Sequence, residues 1–588
     1  MRLSRLSWLL LALPLLGSTA FAADRAALGK TEKLRILVDK VLMASNKWVM
    51  TEEHVREIAD AGFNVVSPRL GNDDMAEVRR IATAAGKCGI FHMTWMRGVM
   101  TAQGKVKMVW SDGTEQVIAS PNADELWDWM TDQITSYAKI SVECPALIGV
   151  FLDYENYWPE SRGNLYDLSF DDKIMGEFAK AIGQEFPDLA FAERSSWLRN
   201  HKLLDQFQAF QINAWRERCR KLRQAVDAIN PTFQFCVYPA PGTLFMTEAA
   251  FVEWTTEAAP AIWADASIYG RPAGLVPHQQ ALETNRDILL ANMKVARSKH
   301  VPFMYAGGLD PVVRGADPEF CGRNAAMSAC VTDGYWVFYE GPTYDTTHPE
   351  YFRWFKRADR AITQGSECRW AFRERETPDP GDAAAFKKQT TLPQVGTYDT
   401  RDLMRNMIAA DPRFETHDLM GLSPQYLANF SAIVLQNYNV PQDFDSPFVQ
   451  TLRAYVEQGG GVMLAHDTAW FMDSPFPEVA TRALPKHNVE AERHVVDSEL
   501  KVVREHPALD ALTVGTQFPT EFRDHMIFKA GPKGTVVIAN TFGDPVYVLG
   551  EVGQGRVAFV GPYMGYKKML SGAEKQAFMG VVAWLARQ

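Results

Sequence analysis

Histidine and cysteine are scarce in this chain: 12 and seven among 588 residues. No CxxC or HxxxH spacing occurs, so the sequence predicts no metal and no cofactor. Basic charge is short as well. The 61 Lys and Arg face 71 Asp and Glu, a formal net charge of −10. That balance gives no cationic surface for nucleic acid or for an anionic membrane. Beyond the N-terminus no apolar run is long enough to span a bilayer. A Ser–His–acid set and a phosphate-cradling glycine loop are also lacking, which removes two common hydrolase and nucleotide-binding chemistries. The cysteines are odd in number and scattered, so no disulfide framework can be read from them. Cys88, Cys236 and Cys330 sit in apolar segments and read as core residues, and no cysteine follows Cys368.

Hydrophobic residues make up 47% and charged residues 22%, the composition of a globular protein. The length predicts two or three domains. Aromatics are plentiful, with 16 Trp and 18 Tyr. The surplus beyond core needs suits sugar rings, whose C–H faces stack on aromatic planes. Met1–Arg5 carries two arginines, Leu6–Leu16 is apolar, and Ala20-Phe21-Ala22 is a small-x-small cleavage signal. Residues 1–22 therefore read as a signal peptide. The expectation is a periplasmic or secreted protein with no membrane attachment after cleavage.

Short apolar, β-rich runs alternate with helical stretches. They are Leu34–Leu42, Phe63–Leu70, Gly89–Trp95, Ala146–Tyr154, Phe233–Pro239, Ala261–Tyr269, Val301–Gly307 and Tyr335–Glu340. Strands buried on both faces read as continuous apolar runs of this kind. Between them, Met50–Ala61 has Thr51 as N-cap, Ser169–Ile182 has Ser169 as N-cap, and Leu203–Ile229 is long and amphipathic. Eight strands alternating with helices predict a (β/α)8 TIM barrel over residues 34–370. The charged, Pro- and Gly-rich Glu374–Asp382 marks a linker, taken as residues 371–391. Beyond it, Gln394–Tyr398, Ala432–Gln436 and Val462–Ala465 are strands. Helix Phe448–Gln458 follows Ser446-Pro447, and Gly459-Gly460-Gly461 stops it. Residues 392–588 thus read as a doubly wound α/β domain.

Barrel active sites lie where the strands end. Asp153 and Glu155 stand at the end of the fourth strand, in GVFLDYENYW, and Glu340 ends the eighth. Asp265, Tyr269 and Arg271 come from the sixth, Tyr238 from the fifth, and Trp95 and Arg97 from the third. Asp310 follows the seventh strand, while Asn156, Tyr157 and Trp158 follow the acidic pair. Carboxylates among aromatics, with few histidines, point to cleavage of glycosidic bonds. Residues i and i+2 of a strand share a face about 6.6 Å apart. Asp153 and Glu155 therefore point the same way, and two close carboxylates do not both ionise cheaply. Glu155, further out, is assigned the raised pKa and the role of general acid. Asp153 tunes it or orients substrate, and Glu340 is the nucleophile or base.

Blander readings stand beside these. Asp153 can be a structural acceptor, Asp265 and Asp310 read first as structural, and the aromatics can be core. Asn156 either bonds a sugar hydroxyl or caps a turn. A lyase or aldolase would want a strand-end lysine. Lys40 is the candidate, with Asp39 as its expected ion-pair partner.

GVFLDYENY resembles the fourth strand of the chitinase-like clan of barrel glycoside hydrolases (families 18 and 85). Asp153-x-Glu155 matches the end of that clan's motif, while Phe151 stands where family 18 has another Asp. The likeness implies Glu155 as the catalytic acid and Asp153 as assistant to the substrate's own acetamide. Residues 394–588 resemble the glutamine-amidotransferase fold in its trehalose-utilisation (ThuA-like) form, on GGGVMLAHD, EHPALDAL and GQGRVAFVGP. Family 42 β-galactosidases also follow a catalytic barrel with a domain of that fold, where it helps build a trimer and walls the active site. The likeness implies homo-oligomer formation through this domain. His466 and Asp467 stand where amidotransferases carry a cysteine, so amidase chemistry is not expected. The sequence thus reads as an exported glycoside hydrolase acting on a polysaccharide or its fragments. The alternative is a non-catalytic carbohydrate-binding or scaffolding protein on the same barrel.

Overall fold

The structure is a computed structural model that describes residues 24–101, 106–272, 275–312, 316–398, 403–472, 474–490, 492–566 and 568–588. The expected signal peptide lies outside the described residues. The chain divides into two compact units. One comprises Met1–Ser267, Leu289–Leu309 and Ala325–Cys368, the other Ile268–Ile288, Asp310–Asn324 and Arg369–Gln588.

In the first unit, eight strands among the described residues close into a parallel barrel. They are β1 (Leu34–Asp39), β2 (Val65–Pro68), β3 (Phe91–Arg97), β4 (Leu147–Asp153), β5 (Gln234–Ala240), β6 (Ala261–Asp265), β7 (Phe303–Leu309) and β8 (Gly334–Tyr339). Each of the eight apolar runs supplies one strand, because each is buried on both faces. Trp95 lies opposite Phe151, Arg97 opposite Asp153, and Asp153 opposite Tyr238. These residues therefore share the inner face. Among them Phe151 and Tyr238 pack with Trp336, ring centroids 4.8–5.7 Å apart, and close the barrel as a core. Gly308 makes room for Trp336, since a Cβ there would lie 2.6 Å from its ring.

Thr51 caps helix Glu52–Asp60 through the His54 N–H, as expected. Ser169 does not cap its helix. Its Oγ accepts the Val109 N–H at 3.1 Å, and Asp171 caps Asp172–Ile182 instead. A hairpin of Lys107–Val109 and Glu115–Ala119 is inserted after β3. Cys330 is not a plain core residue but is disulfide-bonded to Cys368, with Cα atoms 5.1 Å apart. An apolar segment hides a bridge as readily as a free thiol, and spacing alone does not pair the two.

The second unit holds a nine-stranded sheet among the described residues. Its strands are β9 (Gln394–Tyr398), β10 (Glu415–Asp418), β11 (Ala432–Gln436), β12 (Gly461–Ala465), β13 (Glu499–Val502), β14 (Gln517–Pro519), β15 (Thr535–Asn540), β16 (Pro545–Val552) and β17 (Gly555–Val560). The order is β10-β9-β11-β12-β17-β16-β15-β13-β14. The strands from β10 to β17 pair in parallel, and the rest extend the sheet antiparallel. Met463 and Ala465 face one apolar core, Val462 and Leu464 another, so both faces of the parallel half are covered. Ser446 caps helix Pro447–Glu457, and Gly572–Leu585 closes the chain. The linker segment is tied down here. Arg375 pairs with Asp317 at 2.7 Å, and Glu319 accepts the Glu376 and Thr377 N–H groups at 2.9 Å each. No described helix is long and apolar enough to cross a membrane.

Candidate active site

The end of β4 sets the geometry. Asp153 is still inside the barrel wall and 0% exposed. Its Oδ1 accepts the Glu155 N–H at 2.8 Å. Its Oδ2 is buried without a hydrogen bond, 4.0 Å from Arg97 Nη2. Burial pushes the Asp153 carboxyl up to about 7, against the pull of Arg97 and with the Glu155 charge adding to the rise. A raised carboxyl is thus found on Asp153. The reason is depth: Asp153 belongs to the strand, and Glu155 has already reached the rim.

Glu155 is half-buried and well supplied with donors. Its Oε1 accepts the Tyr238 hydroxyl at 2.6 Å and the Tyr157 hydroxyl at 3.0 Å. Among the described residues, Oε2 has no hydrogen-bond partner. Arg97 donates to the Glu155 backbone carbonyl at 2.6 Å and so fixes the turn rather than the carboxylate. No arginine seals Glu155 among the described residues.

Glu340 directly follows β8. Its Oε2 takes Arg69 Nη1 at 2.7 Å and Lys40 Nζ at 3.1 Å, so two cations pair with one carboxylate oxygen. The Arg69 guanidinium lies 4.2 Å over Phe338 and 5.3 Å over Trp95, and Arg97 lies 5.5 Å from the same Trp95 ring. Trp95 therefore connects the surroundings of Glu155 to those of Glu340. Lys40 pairs with Glu340, not with Asp39. Asp39 instead accepts the N–H groups of Val41, Leu42 and Met43 at 3.0–3.1 Å, and burial pushes its carboxyl up to about 6.

The structure thus brings Asp153, Glu155, Glu340, Trp95, Arg97, Tyr157 and Tyr238 together in one unit. Trp158 stands beside them, 37% exposed, and Tyr157 is 64% exposed. Asn156 is buried and forms a reciprocal amide pair with Gln116, at 3.1 and 3.2 Å, so it shapes the loop. Asp265 is buried and accepts from the Tyr305 hydroxyl, the Ser267 N–H and Asn292 Nδ2. Tyr269, Arg271 and Asp310 belong to the other unit, where Arg271 bonds Asp379 at 3.0 Å and the Tyr269 carbonyl accepts the Asp310 N–H at 2.9 Å. Sequence reasoning missed Arg69, Phe338 and Gln116. Arg69 directly follows β2, a strand-end position of the kind that singles out Arg97.

No family profile matches the chain, and no curated protein matches it. Solved structures similar to it include a β-galactosidase from Bacillus circulans sp. alkalophilus, 12% identical over 94% of this chain and 89% of that one, with a TM-score of 0.39. An exo-β-1,4-mannosidase from Opitutaceae bacterium strain TAV5 is 12% identical over 97% of this chain and 96% of that one, with a TM-score of 0.33. A β-glucanase from Saccharophagus degradans is 12% identical over 57% of this chain and 88% of that one, also with a TM-score of 0.33.

Proposed function

We propose that the barrel is a glycoside hydrolase of the exported class, cleaving O-glycosidic bonds in a polysaccharide or oligosaccharide. One observation carries this reading: Glu155 holds one oxygen against two tyrosine hydroxyls and leaves the other open at the barrel rim, beside a buried carboxyl that titrates near neutrality. Asp153, whose carboxyl burial pushes up to about 7, accepts the Glu155 N–H and so fixes the base of that side chain. In the reaction Glu155 acts as general acid and passes a proton to the glycosidic oxygen as the C–O bond breaks. The positive sugar carbon is met by Glu340, which Arg69 and Lys40 hold in place, or by water that Glu340 orients. Exposed Tyr157 and Trp158 offer aromatic faces for the sugar rings. The Cys330–Cys368 bridge and the expected signal peptide support an oxidising compartment, periplasmic or extracellular.

The test is a hydrolysis screen over a broad glycan panel, with Glu155→Gln as control. The expected outcome is turnover of at least one glycan that Glu155→Gln abolishes with the fold intact. Equal turnover in wild type and variant would remove Glu155 from the chemistry. A second reading is a non-catalytic carbohydrate-binding protein, favoured by the two cations that occupy Glu340 Oε2. Glycan binding without hydrolysis in the wild type would select it.

A further inference from the structure

The second unit gathers two imidazoles and two carboxylates. His466 follows β12, His494 lies in the short strand His494–Val496, and Asp524 in the strand Asp524–His525. All three are buried, and their ligand-type atoms lie within 4.8 Å of one another. His466 Nε2 is 3.4 Å from Asp524 Oδ1, and His494 Nδ1 is 3.9 Å from that same oxygen.

These separations are long for hydrogen bonds, which for N–H···O centre on about 2.9–3.0 Å. The His466–Asp524 separation suits the edge of a coordination polyhedron, and the His494–Asp524 one is about half an ångström wider. Ligands about 2.0–2.1 Å from a tetrahedral ion stand roughly 3.3–3.4 Å apart. The outer atoms agree. Asp467 Oδ1 is 3.0 Å from His494 Nε2, the ring nitrogen facing away from Asp524. A carboxylate on the far nitrogen of an imidazole fixes its tautomer and turns the near nitrogen into a lone-pair donor. Arg493 Nε lies 3.3 Å from Asp467 Oδ1 and anchors that carboxylate as an ion pair. The His466 ring stacks on His494 with centroids 4.6 Å apart, so both rings turn the same way. His466 Nδ1 is buried with no hydrogen bond, 3.7 Å from Asp467 Oδ2. His466 also holds φ +49°, a left-handed conformation uncommon for a residue with a Cβ.

We propose that His466 Nε2, His494 Nδ1 and Asp524 Oδ1 bind a divalent first-row transition-metal ion of the zinc class. Two neutral imidazoles and one carboxylate form the donor set, and three protein ligands leave a coordination position open. Asp467 is the positioning residue behind the histidines. No cue to this cluster stands in the sequence, because the ligands are far apart in the chain and follow no short spacing.

The test uses the full chain, stripped with a chelator and titrated with Zn2+ by calorimetry, then with Co2+ by visible absorption. The expected result is one equivalent of Zn2+ and cobalt d–d bands typical of mixed nitrogen and oxygen ligation. Both should be lost in His466→Ala and in His494→Ala. Asp467→Asn, which keeps all three ligands, should weaken binding about 10–100-fold. Absence of one-equivalent Zn2+ binding and of cobalt bands in the wild type would overturn the site, whether or not the variants fold. Unchanged binding in folded His466→Ala and His494→Ala would overturn it as well. The readout is independent of glycan hydrolysis.

Discussion

Replacing Asp153 by asparagine tests the electrostatics of the barrel mouth directly. Asp153 is fully buried, and its carboxyl rises from 3.8 to about 7 in the folded chain. Between those values the folded protein holds a proton that the unfolded chain has released. Stability from this group is therefore complete below about pH 4 and is lost as pH rises through about 7. A rise of roughly three pK units, at about 1.4 kcal/mol each, makes the loss about 4 kcal/mol. The asparagine side chain keeps the shape and can still accept the Glu155 N–H, but it does not titrate. The variant should gain on the wild type by about 4 kcal/mol in unfolding free energy between about pH 4 and pH 8. Urea unfolding of both proteins, followed through the barrel's transition across that range, gives the difference. Groups unaffected by the substitution cancel in it. A difference that stays flat with pH would refute the raised Asp153 carboxyl.

Three further outcomes follow from the same geometry. Tyr238→Phe removes the 2.6 Å donor to Glu155 Oε1. In this variant kcat/KM should fall about 10-fold or more, since a hydrogen bond to a charged group contributes about 1.5–3 kcal/mol; an unchanged kcat/KM would show that the hydroxyl only packs. Glu340→Ala should lose turnover that added azide partly restores, as expected for a carboxylate that attacks the sugar carbon; wild-type rates without azide would end that role. Cys330→Ser with Cys368→Ser opens a bridge spanning 38 residues and should cost about 4 kcal/mol of barrel stability in denaturant unfolding. No loss, or no effect of reductant on the wild type, would argue against the bridge.

The barrel is legible because strands buried on both faces cannot hide their apolar character. Leu147–Asp153 is buried at every position, and its run reads that way in the sequence. The acidic pair is legible for the same reason, since a period of two puts both side chains on one face. What cannot be read is where each charge finds its partner. Arg69 and Glu340 are 271 residues apart, and nothing local in either segment announces the pair. Asn156 is claimed by Gln116, which arrives from a hairpin inserted 40 residues earlier. The sixth apolar run extends to Tyr269, but β6 ends at Asp265. Tyr269 and Arg271 therefore fall past the strand and among the residues of the other unit.

The amide pair between Gln116 and Asn156 has a consequence for engineering. Gln116 is itself steadied by the Trp110 indole at 2.8 Å, so the inserted hairpin grips the residue next to the proposed acid. Shortening or swapping that hairpin would release Asn156 and re-aim its neighbour. On the proposed function, altering substrate choice through this insertion would therefore change rate and selectivity together, unless the two amides are retained.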